Sequence, residues 1–190
     1  MKIGILGGTF NPIHVGHLLI AQDAMEQAGL DRVKFIPAAT PPHKTPEHLV
    51  SAAHRVRMIR LAIAGNPRFE VDDLEIRRGG RSYSVDTLTE LKRRQPRAQF
   101  YFIIGSDSLR ELHLWREPDR LMKLCRFIVL ARPGYKPVQR RLKVRPILVT
   151  GHVCEIASRE VRSRVARGQS FRYLVSDAVH NYIRKHKLYQ

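Results

Sequence analysis

The chain has 190 residues, of which 43% are hydrophobic and 27% charged, as in an ordinary globular protein. Its apolar runs are much shorter than the roughly 20 residues that cross a bilayer, and two cysteines, Cys125 and Cys154, are too few for a disulfide scaffold. Because residues 1–6 begin like a strand rather than an export signal, we expect a soluble, cytoplasmic protein with two reduced thiols.

The net charge of +17 is unevenly distributed along the chain. Residues 1–54 carry four basic and four acidic side chains, whereas residues 55–190 carry 30 basic and 13 acidic ones. Residues 126–150 contain seven basic side chains and no acidic one. A positive field of this kind attracts polyanions. Charge alone therefore leaves three interpretations open, namely nucleic acid, nucleoside triphosphates and an arginine-rich solvated surface.

Hydrophobic periodicity predicts alternating strands and helices. The predicted strands are 2–6, 32–37, 69–76, 99–105, 126–131 and 147–150. The predicted helices are 17–28, 51–64, 83–94, 108–124, 158–166 and 176–186. This order is typical of an α/β fold, with a mostly parallel sheet and helices on both faces. Since such sheets bind ligands beyond the carboxyl ends of their strands, the informative residues should follow each strand.

The junction after the first strand carries the most specific pattern. Residues 7–17 read GGTFNPIHVGH, and the first helix begins near the end of this stretch. Paired glycines allow close approach of a ligand, and a helix N-terminus presents free N–H groups to an anion. His14 and His17 are three residues apart, so both rings can point the same way and donate to phosphoryl oxygens. The stretch matches neither a P-loop nor GxGxxG nor HExxH.

This junction resembles the signature of the nucleotidyltransferases with an HxGH motif, most closely the bacterial nicotinate-mononucleotide adenylyltransferases. Further motifs follow in that family's order: 41–44, 82–88, 105–107, Trp115, 131–134 and 182–189. The resemblance implies one Rossmann-like, doubly wound domain over residues 1–190, with a small C-terminal helical portion. It also implies transfer of an adenylyl group from ATP to nicotinate mononucleotide in NAD biosynthesis. The products are deamido-NAD and pyrophosphate, formed by direct in-line attack of the acceptor phosphate.

The resemblance also implies roles for single residues. The catalytic residues it implies are His14, His17 and Arg162. Those it implies for ATP binding are Gly8, Thr9, Phe10, His14, His17, Gly105, Asp107, Ser158 and Arg162. Those it implies for the mononucleotide are Asn11, His43, Lys44, Tyr83, Ser84, Trp115 and Arg132. In this scheme Trp115 stacks on the pyridine ring. Mg²⁺ is expected to arrive with ATP and not in a protein-built metal site.

Two stretches need separate interpretation. In the segment 156–162, Ala157 and Arg159 stand where the family usually has a serine and a threonine, and Arg159 either contacts a phosphate or crowds ATP. The acidic residues Asp72, Asp73 and Glu75 resemble a metal cluster, but alternating strand geometry places Asp73 and Glu75 on one face and Asp72 on the other. We therefore predict an exposed strand end there.

Two other functions remain as alternatives. A basic nucleic-acid-binding protein would account for the net charge, although the most specific motif lies in the neutral part of the chain. A phosphopantetheine adenylyltransferase would share the first motif and use another acceptor; Trp115 and the pair Tyr83 and Ser84 suit a flat pyridine better. The loop 38–49 is a candidate lid.

Overall fold

The computed structural model describes residues 1–41, 49–131, 145–152 and 155–190. Within these ranges six strands form one sheet in the order β3-β2-β1-β4-β5-β6, and every neighbouring pair is parallel. The strands are β1 (Lys2–Gly8), β2 (Arg32–Pro37), β3 (Phe69–Val71), β4 (Gln99–Gly105), β5 (Arg126–Ala131) and β6 (Ile147–Thr150). The expected parallel α/β sheet is thus confirmed.

Helices connect successive strands over most of the chain. They are α1 (Val15–Gln27), α2 (Ala52–Ala62), α3 (Leu74–Arg78), α4 (Ser84–Arg94), α5 (Ser106–Arg110), α6 (Pro118–Leu124), α7 (Ser158–Ala166) and α8 (Asp177–Lys185), with a 3₁₀ turn at Leu112–Leu114. In the described ranges, none of these helices combines the length and apolarity needed to cross a membrane. The C-terminal helix α8 packs against α2.

The two faces of the sheet bury separate hydrophobic cores. Alternate residues of β4 point to opposite faces, so that Phe100 and Phe102 join one cluster and Tyr101 and Ile103 join the other. Helices α1, α2 and α8 supply side chains to the second cluster, and α4 and α6 supply side chains to the first. A sheet buried on both faces explains why its strands are apolar throughout.

The predicted strand 69–76 is wrong beyond Val71. The Asp72 carboxylate accepts a hydrogen bond from the Leu74 backbone N–H at 3.2 Å, a local turn that competes with extended structure. The chain then forms the short helix α3, which buries Leu74 and Glu75. Glu75 is therefore a buried helical residue, and the expectation that it lies at an exposed strand end is wrong.

The predicted helix 108–124 is interrupted. Pro118 cannot continue a helix because it lacks the N–H group and its ring clashes with the preceding turn. It stands instead at the start of α6, after an extended Trp115 and a left-handed Glu117 with φ of 49°. The interruption leaves Trp115 outside a regular helix, at the carboxyl edge of the sheet.

Gly4 provides a test of how tightly the sheet is packed. A Cβ on this residue would lie 2.7 Å from Leu30 Cδ1 and 3.0 Å from Ile103 Cδ1, closer than side-chain contacts allow. We expect Gly4→Ala to lower the free energy of unfolding by about 1–3 kcal/mol through overpacking. In the same strand Gly7→Ala meets only an ordinary contact at 3.6 Å and serves as the control. Equal losses in urea unfolding would contradict the packing argument.

Candidate active site

A cavity of about 570 Å³ opens at the carboxyl ends of the central strands. Its floor is formed by the last residues of β1, β2 and β4, and one wall by the beginning of α4. The residues of the sequence-derived site that line it are Gly8, Thr9, Tyr83, Ser84, Gly105 and Trp115. This location is the one that open parallel sheets provide for ligands, so the strand ends converge as the sequence suggested.

The other residues of the predicted site either are not among those that line this cavity or lie outside the described ranges. His14 and His17 stand at the start of α1, and Ser158 and Arg162 lie on α7. Asp107 lies in the first turn of α5, where its exposed carboxylate accepts a hydrogen bond from Arg110 at 2.7 Å. Three residues of the predicted site lie outside the described ranges, namely His43, Lys44 and Arg132. Residues 42–48 of the predicted lid also lie outside them.

The two histidines of the first loop are brought together. Their ring centroids are 3.7 Å apart, and the Phe10 ring packs edge-on against His17 at 5.0 Å. The His14 backbone N–H donates to His17 Nδ1 at 3.2 Å. Because that nitrogen must act as acceptor, neutral His17 carries its proton on Nε2. The neutral His17 ring can therefore donate one hydrogen bond, from Nε2.

Burial keeps this pair uncharged at neutral pH. Desolvation lowers the pKa of His14 to about 4. It also lowers the pKa of His17 well below its usual range, and the neighbouring His14 contributes in the same direction. Burial disfavours the imidazolium form. The site therefore offers neutral hydrogen-bond donors rather than fixed cations.

Distant parts of the chain hold the first loop by its carbonyl groups. Arg162 Nη1 donates to the Asn11 carbonyl at 2.7 Å, and the Ser158 hydroxyl donates to the Pro12 carbonyl at 2.8 Å. The Tyr189 hydroxyl donates to Asn11 Oδ1 at 2.9 Å. The amino end of α7 and the last turn of the chain thereby determine the loop's conformation.

Arg159 lies apart from the cavity in the described structure. Its side chain is exposed and lines a shallow surface groove with Ala157, Glu160 and Arg164. Neither Arg159 nor Ala157 is among the residues that line the main cavity. This position supports neither of the two alternatives for Arg159 within that cavity, a phosphate contact or crowding of the nucleotide.

The part of the cavity that is lined by Tyr83 and Trp115 suits a flat, anionic group. Trp115 packs edge-to-face against Phe102, with ring centroids 5.9 Å apart, and leaves one side of the indole toward the cavity. Tyr83 is the N-cap of α4, and Arg116 lies 4.7 Å above its ring. The first N–H groups of a helix have no intrahelical acceptor, so the start of α4 at Ser84 offers donors to an anion.

Two buried charged residues at this site have a place that was not predicted from the sequence. Arg55, 2% exposed, donates to the carbonyl groups of Thr9 and Ala38 at 2.9 and 2.7 Å. Its alignment with Ile59 and Ala62 on the apolar face of α2 is a sequence signal that could have indicated its burial. Glu75 lines the cavity wall. From the sequence, Glu75 was placed at an exposed strand end because its helix was predicted as a strand.

Metal-ligand geometry is absent from the described parts of the chain. In those ranges no three His, Cys, Asp or Glu side chains lie close enough together to hold an ion. The acidic residues Asp72 and Asp73 instead pair with basic neighbours, including Lys34 and Arg77.

The comparisons with known proteins agree with this arrangement. The model of the cytidylyltransferase-like family matches residues 5–164. A protein of Citrifermentans bemidjiense, described as "Probable nicotinate-nucleotide adenylyltransferase", is 44% identical over 100% of this chain and 98% of its own. One of the same description from Lactiplantibacillus plantarum is 43% identical over 100% and 88%. The fold is similar to that of Plasmodium falciparum nicotinic acid mononucleotide adenylyltransferase complexed with NaAD, at TM-score 0.80, 22% identity, and 99% and 97% coverage.

The lowered pKa of His14 predicts a pH-dependent stability. Between pH 6.5 and about 4 the unfolded chain binds a proton at His14 that the folded chain does not, so the free energy of unfolding falls as the pH is lowered. From pH 7 to 5 the loss due to His14 amounts to about 2 kcal/mol. Urea unfolding should show this dependence weakened in His14→Gln. It should persist in His113→Gln, which changes an exposed histidine; an identical slope in both variants would contradict the assignment.

Proposed function

Since the chain belongs to the nicotinate-nucleotide adenylyltransferases of the cytidylyltransferase-like family, we propose that the cavity and the HxGH loop beside it form the site of adenylyl transfer. The enzyme transfers the adenylyl group of ATP to nicotinate mononucleotide in NAD biosynthesis, giving deamido-NAD and pyrophosphate. The observation that carries the placement is that Gly8, Thr9 and Trp115 line one cavity at the carboxyl ends of the strands. The His14–His17 pair stands at the start of α1, on the loop that follows the Gly8–Thr9 turn.

At the ATP end, the protein supplies hydrogen bonds rather than a covalent group. The N–H groups of the Gly8–Thr9 turn and of the α1 N-terminus are oriented toward phosphate oxygens. His17, with its proton on Nε2, donates to an oxygen whose negative charge grows as the bond to pyrophosphate breaks. His14, Ser158 and Arg162 complete this subsite in the proposal. Ser158 and Arg162 do so by holding the loop, and Arg162 also by the guanidinium donors that remain beside its bond to Asn11.

At the acceptor end, the protein orients the attacking phosphate. The pyridine ring stacks on Trp115, and the carboxylate of nicotinate accepts hydrogen bonds from the amides at Tyr83 and Ser84. His43, Lys44 and Arg132 stay predictions for this subsite. The acceptor phosphate attacks the α-phosphorus directly, and catalysis rests on positioning and charge stabilisation. Burial raises the pKa of the Cys125 thiol to about 12, which makes this cysteine unsuitable as a nucleophile.

ATP enters this scheme as its Mg²⁺ complex. Nucleotidyltransferases of this kind generally use a divalent metal with ATP, and Mg²⁺ bound to the phosphates needs few protein ligands. We also propose that residues 1–190 form one nucleotidyltransferase domain, since both cores share a single sheet and α8 packs on α2. Cytoplasmic location stays a prediction from the sequence.

The alternatives are less well supported. Neither nucleic-acid binding nor phosphopantetheine transfer is the activity in the relatives' descriptions. The deciding experiment measures pyrophosphate release from ATP and Mg²⁺ with nicotinate mononucleotide, nicotinamide mononucleotide and phosphopantetheine in parallel. Release with the nicotinate compound, and weak release with the amide, supports the proposal. Folded protein that releases pyrophosphate only with phosphopantetheine, or with none of the three, contradicts it.

His17→Ala tests the transition-state donor. Loss of one such donor typically lowers turnover by roughly 10²–10³, and we expect kcat to fall in this range. Far-ultraviolet circular dichroism should remain unchanged, because His17 belongs to neither hydrophobic core. Turnover equal to that of the unmodified enzyme would remove His17 from the mechanism.

Trp115→Ala tests the acceptor pocket. The substitution removes the stacking surface, so the KM for nicotinate mononucleotide should rise by roughly tenfold or more, while the KM for ATP changes little. Trp115→Phe keeps an aromatic surface and should restore part of the loss. A larger change in the KM for ATP would place Trp115 outside the acceptor pocket.

A further inference from the structure

A chain of hydrogen bonds runs through the wall of the cavity from its ATP end to its acceptor end. It begins at Arg55, whose guanidinium donates to the carbonyl groups of Thr9, Ala38 and Ala39 at 2.9, 2.7 and 3.5 Å. Thr9 belongs to the turn after β1, whereas Ala38 and Ala39 follow β2. One buried side chain therefore ties together the ends of the two strands that flank the nucleotide.

The chain continues through the hydroxyl group of Ser82. The Ala39 backbone N–H donates to Ser82 Oγ at 2.9 Å, and the Ser82 backbone N–H donates to the Thr40 carbonyl at 2.9 Å. Ser82 immediately precedes Tyr83, the N-cap residue of α4. Ser82 thus links the exit of β2 with the start of α4 in the acceptor wall.

At the acceptor end, Glu75 fixes the first turn of α4. Its Oε1 accepts a hydrogen bond from the Thr87 hydroxyl, and Thr87 accepts one from Arg78 at 3.2 Å. Thr87 lies one turn after Tyr83, the N-cap residue of α4. Burial raises the pKa of Glu75, while the hydroxyl groups and the Arg78 charge oppose this rise. The orientation of the α4 N-terminus therefore depends on a carboxylate that is 7% exposed.

We propose that Arg55, acting through Ser82, and Glu75, acting through Thr87, are positioning residues that together set the separation of the ATP subsite from the acceptor subsite. The inference rests on the proposed adenylyl transfer. Where one bound substrate attacks another, a displacement of about 1 Å can cost roughly 100-fold in rate. Neither residue is assigned a contact with a reacting atom; each acts on the backbone that holds the substrates.

Ser82→Ala tests the link at its centre. The substitution removes only the hydroxyl group and retains the backbone hydrogen bond from Ser82 N–H to the Thr40 carbonyl at 2.9 Å, so the fold should persist. We expect kcat to fall by roughly tenfold at saturating substrates, with the KM for ATP within about twofold of its original value. Thr89→Ala is the matched control, since it removes a hydroxyl group that bonds only locally within α4 and to Arg120.

The Ser82→Ala experiment is judged by kcat and not by the melting temperature. A fall in kcat of more than about threefold in Ser82→Ala, absent from Thr89→Ala, supports the inference. A smaller fall overturns it, whatever happens to the melting temperature. An unmodified enzyme that releases no pyrophosphate would contradict the proposed function instead, so the two failures are distinguishable.

A double-mutant cycle with Arg55→Lys and Glu75→Gln tests whether the two ends act as one unit. Both substitutions preserve size and some hydrogen bonding, and coupled residues show non-additive effects. If the two residues act independently, the fold-loss of kcat in the double variant equals the product of the two single fold-losses. A fold-loss in the double variant that is more than about threefold smaller than this product supports the inference. A fold-loss within about threefold of the product contradicts it. Should either variant fail to fold, Ser82→Ala alone decides.

Discussion

The geometry of this site depends on one buried interaction, the insertion of the Arg55 guanidinium between the ends of β1 and β2. A buried cation is costly unless its donors are satisfied. Here Nη1 and Nη2 donate to main-chain carbonyl groups, while Nε is buried and has no hydrogen-bond partner in the described structure. Because the carbonyl groups belong to the loops that follow the strands, these hydrogen bonds also fix those loops. Desolvation lowers the pKa of Arg55, yet an arginine stays protonated at neutral pH. The same charge contributes positive potential beneath the turn that we propose to face phosphate.

The neutral histidine pair complements this arrangement. A protonated pair would bind triphosphate strongly in the ground state, whereas catalysis needs interactions that strengthen only in the transition state. Burial keeps His14 uncharged, and the backbone hydrogen bond to His17 Nδ1 fixes its outer nitrogen as a donor. The protein thus separates two tasks: Arg55 and Arg162 hold the loop by donating to its carbonyl groups, and the uncharged rings of His14 and His17 are left for the proposed contacts with the substrate.

Much of the fold and part of the site were predictable from the sequence, for identifiable reasons. Strands such as β4 are apolar throughout because both faces are buried, and the HxGH stretch is local, so its consequences are readable without tertiary contacts. The strand predicted over 69–76 ends early because the Asp72 carboxylate accepts a hydrogen bond from the Leu74 backbone N–H, and this bond turns the chain. Glu75 was placed at an exposed strand end for the same reason, whereas it is buried in α3 and accepts a hydrogen bond from the Thr87 hydroxyl group, a partner that no periodicity marks. Contacts such as Arg162 to Asn11 span 151 positions and lie beyond any local pattern.

The bond between Tyr189 and Asn11 has a consequence for the biosynthesis of the enzyme. These residues are separated by 178 positions, so the signature loop is synthesised long before its partner exists. Domains fold as units while the chain emerges from the ribosome, and contacts of such long range form late because their loop-closure entropy must be overcome first. The central strands can pair earlier, but the loop reaches its final form only once residue 189 has been added and α8 has docked on α2. A nascent chain that stops short of residue 189 therefore lacks one of the hydrogen bonds that hold the loop of the proposed ATP subsite.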